Sequence, residues 1–156
     1  TGAATITVSG LSNVNSIMII VEAASSASAQ SAIGIRLNTD TGNNYYRFGS
    51  QIIAVNPYST ATVTNSQSGA TDFVRLIGMS TNAGSTGSGT FFVTGCNTSG
   101  VKIFQSQGGA NASTGTDQVI NIYGGYYNSA SVITSVSVFS NVGNFDAGTV
   151  YVYTST

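Results

Sequence analysis

The chain of 156 residues carries only 6% charged side chains, no histidine and a single cysteine, Cys96, at a net charge of −1. This excludes an intrachain disulfide, removes the electrostatic attraction on which nucleic-acid binding depends, and takes away the usual general base and the commonest metal ligand. Solubility must rest on Ser, Thr, Asn and Gly, and the length suits one domain, residues 1–156, able to bury about 70% of the surface that the unfolded chain exposes.

Period-two alternation begins almost at once. Ala4, Ile6 and Val8 alternate with Thr5, Thr7 and Ser9. Ile17, Ile19 and Val21 face one side of the next strand, with Met18, Ile20 and Glu22 on the other. The aliphatic run 17–21 is far shorter than the ~20 residues that span a bilayer, so no membrane insertion is expected. "AASSASAQSA" (23–32) has only small apolar residues and reads as a loop holding at most one helical turn. Ile33, Ile35 and Leu37 alternate with Gly34, Arg36 and Asn38. Strands are then expected at 45–50, 52–55, 60–64, 73–77, 89–96, 101–106, 118–123, 134–139 and 149–153, rich in the residues that suit a pleated sheet. Asn56-Pro57 marks a turn. "NAGSTGSG" (82–89) and "QGGANASTGT" (107–116) read as loops. Short strands at even spacing with no convincing helix predict an all-β fold: a two-sheet antiparallel β-sandwich, jelly-roll-like. The chain opens at Thr1, so either an initiator methionine has been removed or these residues are a piece of a longer polypeptide.

Groups for catalysis are sparse. The acids Glu22, Asp40, Asp72, Asp117 and Asp146 are scattered, without the spacing of a glycosidase pair. Cys96 has no histidine to activate it and is expected to be a buried structural thiol. "NTDTGNN" (38–44) places oxygens at alternate positions as a calcium loop does, but with one carboxylate it reads as a polar hairpin turn. "GSTGSG" (84–89) lacks the lysine and helix of a phosphate loop. Asn97-Thr98-Ser99 and Asn111-Ala112-Ser113 match the glycosylation pattern, as chance predicts in so Asn- and Ser-rich a chain. No cofactor, no metal and no enzymatic activity are expected.

Several strands are apolar on both faces. Met18 and Ile20 back onto the Ile17/Ile19 stripe, Phe91 and Phe92 are adjacent, and Tyr151 and Tyr153 alternate with Val150 and Val152. A sandwich strand has one inner and one outer face, so Met18, Ile20, Tyr151 and Tyr153 are candidates for an assembly interface; loops of the same chain folded over them are the alternative. Phe145 is expected to cap one end of the sandwich. Two adjacent tyrosine pairs, Tyr45/Tyr46 and Tyr126/Tyr127, lie beside Asn and Gly and are candidate glycan contacts, since the ring is apolar and the hydroxyl polar. The competing expectation is that one tyrosine of each pair points inward and the other covers a sheet edge or a neighbour.

"GLSNVNSIMIIVEAAS" followed by "GIRLNTDTGNNYYRFG" resembles the front half of β-rich structural proteins encoded by tailed bacteriophages, and "ITSVSVFSNVGNFDAGTVYVYTS" (133–155) resembles their closing hairpin. The resemblance implies a jelly-roll or lectin-like sandwich from a virion surface part, with structural or adhesive roles and no catalytic residues to carry over. The expected function is a capsid decoration (cement) protein, a trimer on the major capsid protein or other virion proteins. The alternative is a tail-fibre or lectin-like module that binds host surface glycan. Either implies a virion location, on the capsid surface or tail, after assembly in the host cytoplasm.

Overall fold

The computed structural model describes residues 2–26, 32–55, 60–78, 85–111 and 118–156, without the side chains of 55, 60 and 66–68. Eleven strands are present: β1 (Thr5–Ser9), β2 (Ser16–Ser26), β3 (Ala32–Leu37), β4 (Tyr45–Val55), β5 (Thr60–Thr71), β6 (Val74–Gly78), β7 (Thr86–Thr94), β8 (Lys102–Asn111), β9 (Gln118–Tyr127), β10 (Ser135–Ser140) and β11 (Phe145–Ser155). Among the described residues there is no helix.

A narrow sheet has the order β1-β10-β3-β6, and a wide sheet the order β11-β2-β7-β8-β9-β4-β5. Every pairing is antiparallel. The chain winds from sheet to sheet so that β1 pairs β10, β3 pairs β6 and β4 pairs β5, while β2 meets the β7–β9 meander. This is the nested Greek-key wiring of a jelly roll, with a three-stranded meander where one strand would suffice and β11 added at the edge. The expected β-sandwich is therefore the fold.

The core lies between the sheets. Ile17, Ile19, Val21, Phe91, Val93 and Phe104 of the wide sheet meet Ile33, Ile35, Leu37, Val136 and Val138 of the narrow one, all buried. Full burial of one such side chain contributes about 1.5–3 kcal/mol. The outer face of the narrow sheet is closed by its own side chains. Phe73 and Phe139 meet edge-to-face (5.3 Å, 78°), and both rings lie within 2.8 Å of where a Cβ on Gly34 would sit. Arg36 stacks on Phe139 (4.1 Å) and pairs with Asp72 (2.6 Å).

Several expectations need correction. The segments 45–50 and 52–55 are one strand, β4, continued through Gln51. Three stretches read as loops are partly strand: Ala23–Ser26 completes β2, Thr86–Gly89 opens β7 and Gln107–Asn111 closes β8. The reason is close packing from above. A Cβ on Gly108 would lie 2.6 Å from the Leu76 carbonyl oxygen, and one on Gly89 would lie 3.1 Å from the Leu76 side chain. Glycine inside a strand marks such an approach of another backbone. The closing segment is no hairpin: β10 pairs β1 and β3, whereas β11 pairs β2, so residues 141–144 cross between sheets. "NTDTGNN" likewise joins β3 of one sheet to β4 of the other, with Asn38 and Thr39 at positive φ (55° and 56°). The Asn56-Pro57 turn and the loop residues 27–31, 82–84 and 112–116 lie outside the described residues.

Gly108→Ala should push β6 away from the wide sheet and cost about 1–3 kcal/mol, lowering Tm by about 2–4 °C per kcal/mol in a chain of this size. Gly69→Ala has no atom within 4 Å and should stay within about 0.5 kcal/mol of the parent. Thermal unfolding of the two variants checks this; equal stabilities would contradict the close approach of β6.

Candidate binding face on the wide sheet

The wide sheet has an outer face that nothing in the described chain covers. Its rows follow from the register. One runs Tyr153–Met18–Phe92–Gln105–Gly124–Phe48 and the next Tyr151–Ile20–Thr90–Gln107–Ile122–Ser50. A third carries Ser88–Gly109–Ile120–Ile52–Val63. Among the described residues, most large exposed apolar side chains belong to this face, including Met18 (39% exposed), Phe92 (42%), Ile122 (53%) and Tyr153 (54%). Glu22 is the one charged residue in these strands on this side.

The four proposed interface residues come together here. Tyr151 is the cross-strand partner of Ile20 and Tyr153 of Met18, and the two tyrosine rings stack at 6.5 Å and 18°. Val150 and Val152 point the other way and pack against the core, and Phe145 is buried at the sandwich end.

The sequence reading flagged the Phe91/Phe92 strand as apolar on both faces but missed Phe48, Ile103, Ile120, Ile122, Gln105 and Gln107 as members of this face. Alternation in β9 could have found two of them, because Ile120 and Ile122 flank Asn121, yet the sense is inverted: Asn121 is fully buried and the isoleucines are exposed. Between the apolar ridges run two shallow grooves. One, of about 640 Å³, is lined by Ile20, Thr90, Gln107, Ile120 and Ile122. The other, of about 500 Å³, is lined by Met18, Phe92, Gln105 and Gly124.

The tyrosine pairs are brought together across β4 and β9, with Tyr45 opposite Tyr127 and Tyr46 opposite Tyr126. Tyr45 and Tyr127 are buried and stacked on one another (4.7 Å), so they are not available to a glycan; this corrects half of the proposed contact set. Tyr46 and Tyr126 stack on the outer face (4.6 Å, 11°) and remain half-exposed. The inner pair serves the turn at Asp40. Tyr127 donates to the Asp40 carboxylate (2.8 Å), and Asn44 and the Gly42 amide donate to it as well. Burial alone would raise the Asp40 pKa, but these donors outweigh it and hold the carboxyl below its ordinary value. The Tyr45 hydroxyl accepts from the Leu37 amide (2.9 Å), and burial pushes its pKa well up.

Cys96 is fully buried, with its Sγ 3.8 Å from the Val93 carbonyl oxygen, and burial pushes the thiol up to about 11 against a small opposing pull from Lys102. It is the structural thiol expected. Lys102, also fully buried, donates to the carbonyls of Gly100 (2.7 Å) and Ser129 (2.9 Å). Among the described residues, no three His, Cys, Asp or Glu side chains are grouped to hold a metal. No protein-family model, no curated protein and no solved structure matches this chain.

A carboxyl held below its unfolded value stabilises the fold above the unfolded pKa, and loses that contribution as pH falls through the folded pKa. Tyr127→Phe removes one donor to this carboxylate and should cost about 1.5–3 kcal/mol at pH 7, and less at an acid pH below the lowered pKa of Asp40, where the carboxyl is protonated. Tyr46→Phe, on the outer face, should change stability by less than about 0.5 kcal/mol at either pH. Urea unfolding of both variants at the two pH values checks the contrast.

Proposed function

We propose that the chain is a non-catalytic structural module of a tailed-bacteriophage virion, a decoration protein that seats the outer face of its wide sheet on the capsid shell. The observation that carries this reading is that face: seven strands wide, apolar along its ridges and nearly free of charge. At about 4.8 Å between strands and about 3.4 Å per residue it measures roughly 29 Å by 24 Å. That is about 700 Å², close to the ~800 Å² that each partner contributes to a standard specific interface. The jelly-roll wiring and the phage-like ends of the sequence support the same reading.

Binding only the assembled shell would stabilise that shell by mass action. Contacts with so little charge would be almost insensitive to salt. The major capsid protein and two further copies of this chain, in a trimer, are the partners that this reading invokes. Peptide mapping of purified heads and tails tests it: a stoichiometry matching the capsid lattice is expected, and a chain found only in tails would overturn it. Met18→Glu combined with Ile122→Glu should fold normally and fail to load onto heads in shell-binding assays. Undiminished loading would remove the outer face from the mechanism.

A second reading rests on one arrangement, the carboxamides of Gln105 and Gln107 between the apolar ridges of the grooves. A sugar needs such a floor, with an apolar surface for its ring and a few fixed amides for its hydroxyls. Glycan-array binding that is lost in Gln105→Ala and Tyr126→Ala would favour this receptor-binding role. An array without a hit for the parent chain would close it.

A further inference from the structure

The chain has four basic side chains, and the structure accounts for two. Arg36 pairs with Asp72, and Lys102 donates to two backbone carbonyls. The other two, Arg47 on β4 and Arg75 on β6, lie where the wide sheet runs past the edge of the narrow one. Arg47 projects from the inner face, with its guanidinium carbon 4.8 Å from the centre of the Tyr123 ring. The backbone of Arg75 lies over the same row: its carbonyl accepts from Ser106 (3.4 Å), and Ser106 is the cross-strand neighbour of Tyr123. Both arginines are half-buried, and the Nε of each is a buried donor without a hydrogen-bond partner.

Two amides extend the cluster. Asn121, fully buried, accepts from the Tyr123 hydroxyl at its oxygen (3.0 Å), leaving Nδ2 buried and without a partner. Asn121 Nδ2 and Gln51 Nε2 each lie 3.3 Å from the point that a Cβ on Gly78 would occupy. The absence of a side chain there leaves room in front of both. All of these groups are donors, and two are like charges. Burial first, and then the charge of Arg75, weaken the hold of Arg47 on its proton, against a pull from Tyr123.

No carboxylate of the described chain is placed to compensate them. Asp40 is held by Asn44, Gly42 and Tyr127, Asp72 pairs with Arg36, and Asp146 accepts from Ser25. Glu22 lies on the opposite face of the sheet. Residues 79–84, which follow Gly78, contain no acid. Asp117 is outside the described residues; its described neighbour Gln118 is five positions from Tyr123 along β9, about 17 Å at strand spacing.

We infer that Arg47 and Arg75, with the amides of Asn121 and Gln51 beside them, form a binding site for an oxyanion, a carboxylate in the first instance. The guanidinium fork presents paired N–H groups at the spacing of two carboxylate oxygens, and a ligand of this kind supplies the acceptors that the buried donors lack. The site faces away from the outer face of the wide sheet, so it is independent of the shell-binding reading.

Thermal unfolding of the intact chain at constant ionic strength tests the site, with acetate or sulfate replacing chloride. A stabilisation that sets in near the anion's Kd is expected, rising by about 3–6 °C for each tenfold increase in anion above it. Sulfate also stabilises proteins non-specifically, so the decisive comparison is with Arg47→Gln and Arg75→Gln. Each should lose the site-specific logarithmic part and keep only the non-specific rise. In chloride, Arg75→Gln should match or exceed the parent Tm, because it removes an uncompensated like charge. An anion response unchanged in both variants, or a fall in Tm in chloride for Arg75→Gln, would overturn the site and make the arginines structural struts. Shifts of the Arg47 and Arg75 Nε–H resonances on acetate titration provide a readout independent of stability; resonances that stay in place would equally overturn it.

Discussion

A sheet of four strands cannot cover a sheet of seven, and most of what distinguishes this molecule follows from that mismatch. At about 4.8 Å between neighbouring strands the narrow sheet spans about 14 Å and the wide one about 29 Å. Where they overlap, Ile17, Ile19, Phe91, Val93 and Phe104 meet Ile33, Ile35 and Leu37 in a dry core. Beyond β6 the inner face of the wide sheet changes character, to Arg47, Gln51, Asn121 and Tyr123. The extra strands of the β7–β9 meander and β11 also give the outer face its breadth. The glycines of the overlap belong to the same constraint, since Gly108 lets the β6 backbone come down onto the meander and Gly89 leaves room for the Leu76 side chain.

The two outer faces resolve the cost of exposed apolar surface in opposite ways. On the narrow sheet, Phe73 and Phe139 close over Gly34, and Arg36 lies across Phe139 while it pairs with Asp72. On the wide sheet, Met18, Phe92, Ile120, Ile122 and the Tyr151/Tyr153 stack stay in solvent. An apolar area of this size on a sheet whose own core is already complete is a feature that contact with something else relieves. Charge is as unevenly distributed. The inter-sheet turn uses one carboxylate, Asp40, on Tyr127, Asn44 and Gly42, and among the described residues no carboxylate pairs with Arg47 or Arg75.

The fold class was legible in the sequence because period-two patterning survives in nearly every strand, and the faces of β2 and β11 were legible for the same reason. Ile17 and Ile19 are the inward set and Met18 and Ile20 the outward one, as alternation implies. What alternation does not convey is which face is inner when both are mixed. In β9 the buried row is Val119, Asn121 and Tyr123 while Ile120 and Ile122 are exposed, and in β8 Lys102 is buried beside exposed Ile103. Polarity suggests the reverse in both strands. Burial there depends on hydrogen-bond partners that polarity does not convey: the carbonyl of Ser129, 27 residues on, for Lys102, and the hydroxyl of Tyr123, two residues along the same strand, for Asn121. Strand ends are hidden for a related reason: Gly and Ser read as loop punctuation, whereas Gly89 and Gly108 sit inside strands where a Cβ would press on neighbouring backbone. The pairing of Tyr45 with Tyr127 and of Tyr46 with Tyr126 needed the β4–β9 register, which a linear reading does not contain.

The central claim is that the outer face of the wide sheet is the surface through which this protein makes its contacts. Hydroxyl-radical footprinting of the free chain and of the chain on its particle measures this residue by residue. Met18, Phe92, Tyr151 and Tyr153 should be oxidised readily in the free chain and protected on the particle, while Val132 and Val142, exposed and outside the strands of the wide sheet, stay equally reactive. Full reactivity of the four on the particle, with protection appearing elsewhere on the chain, would contradict the account.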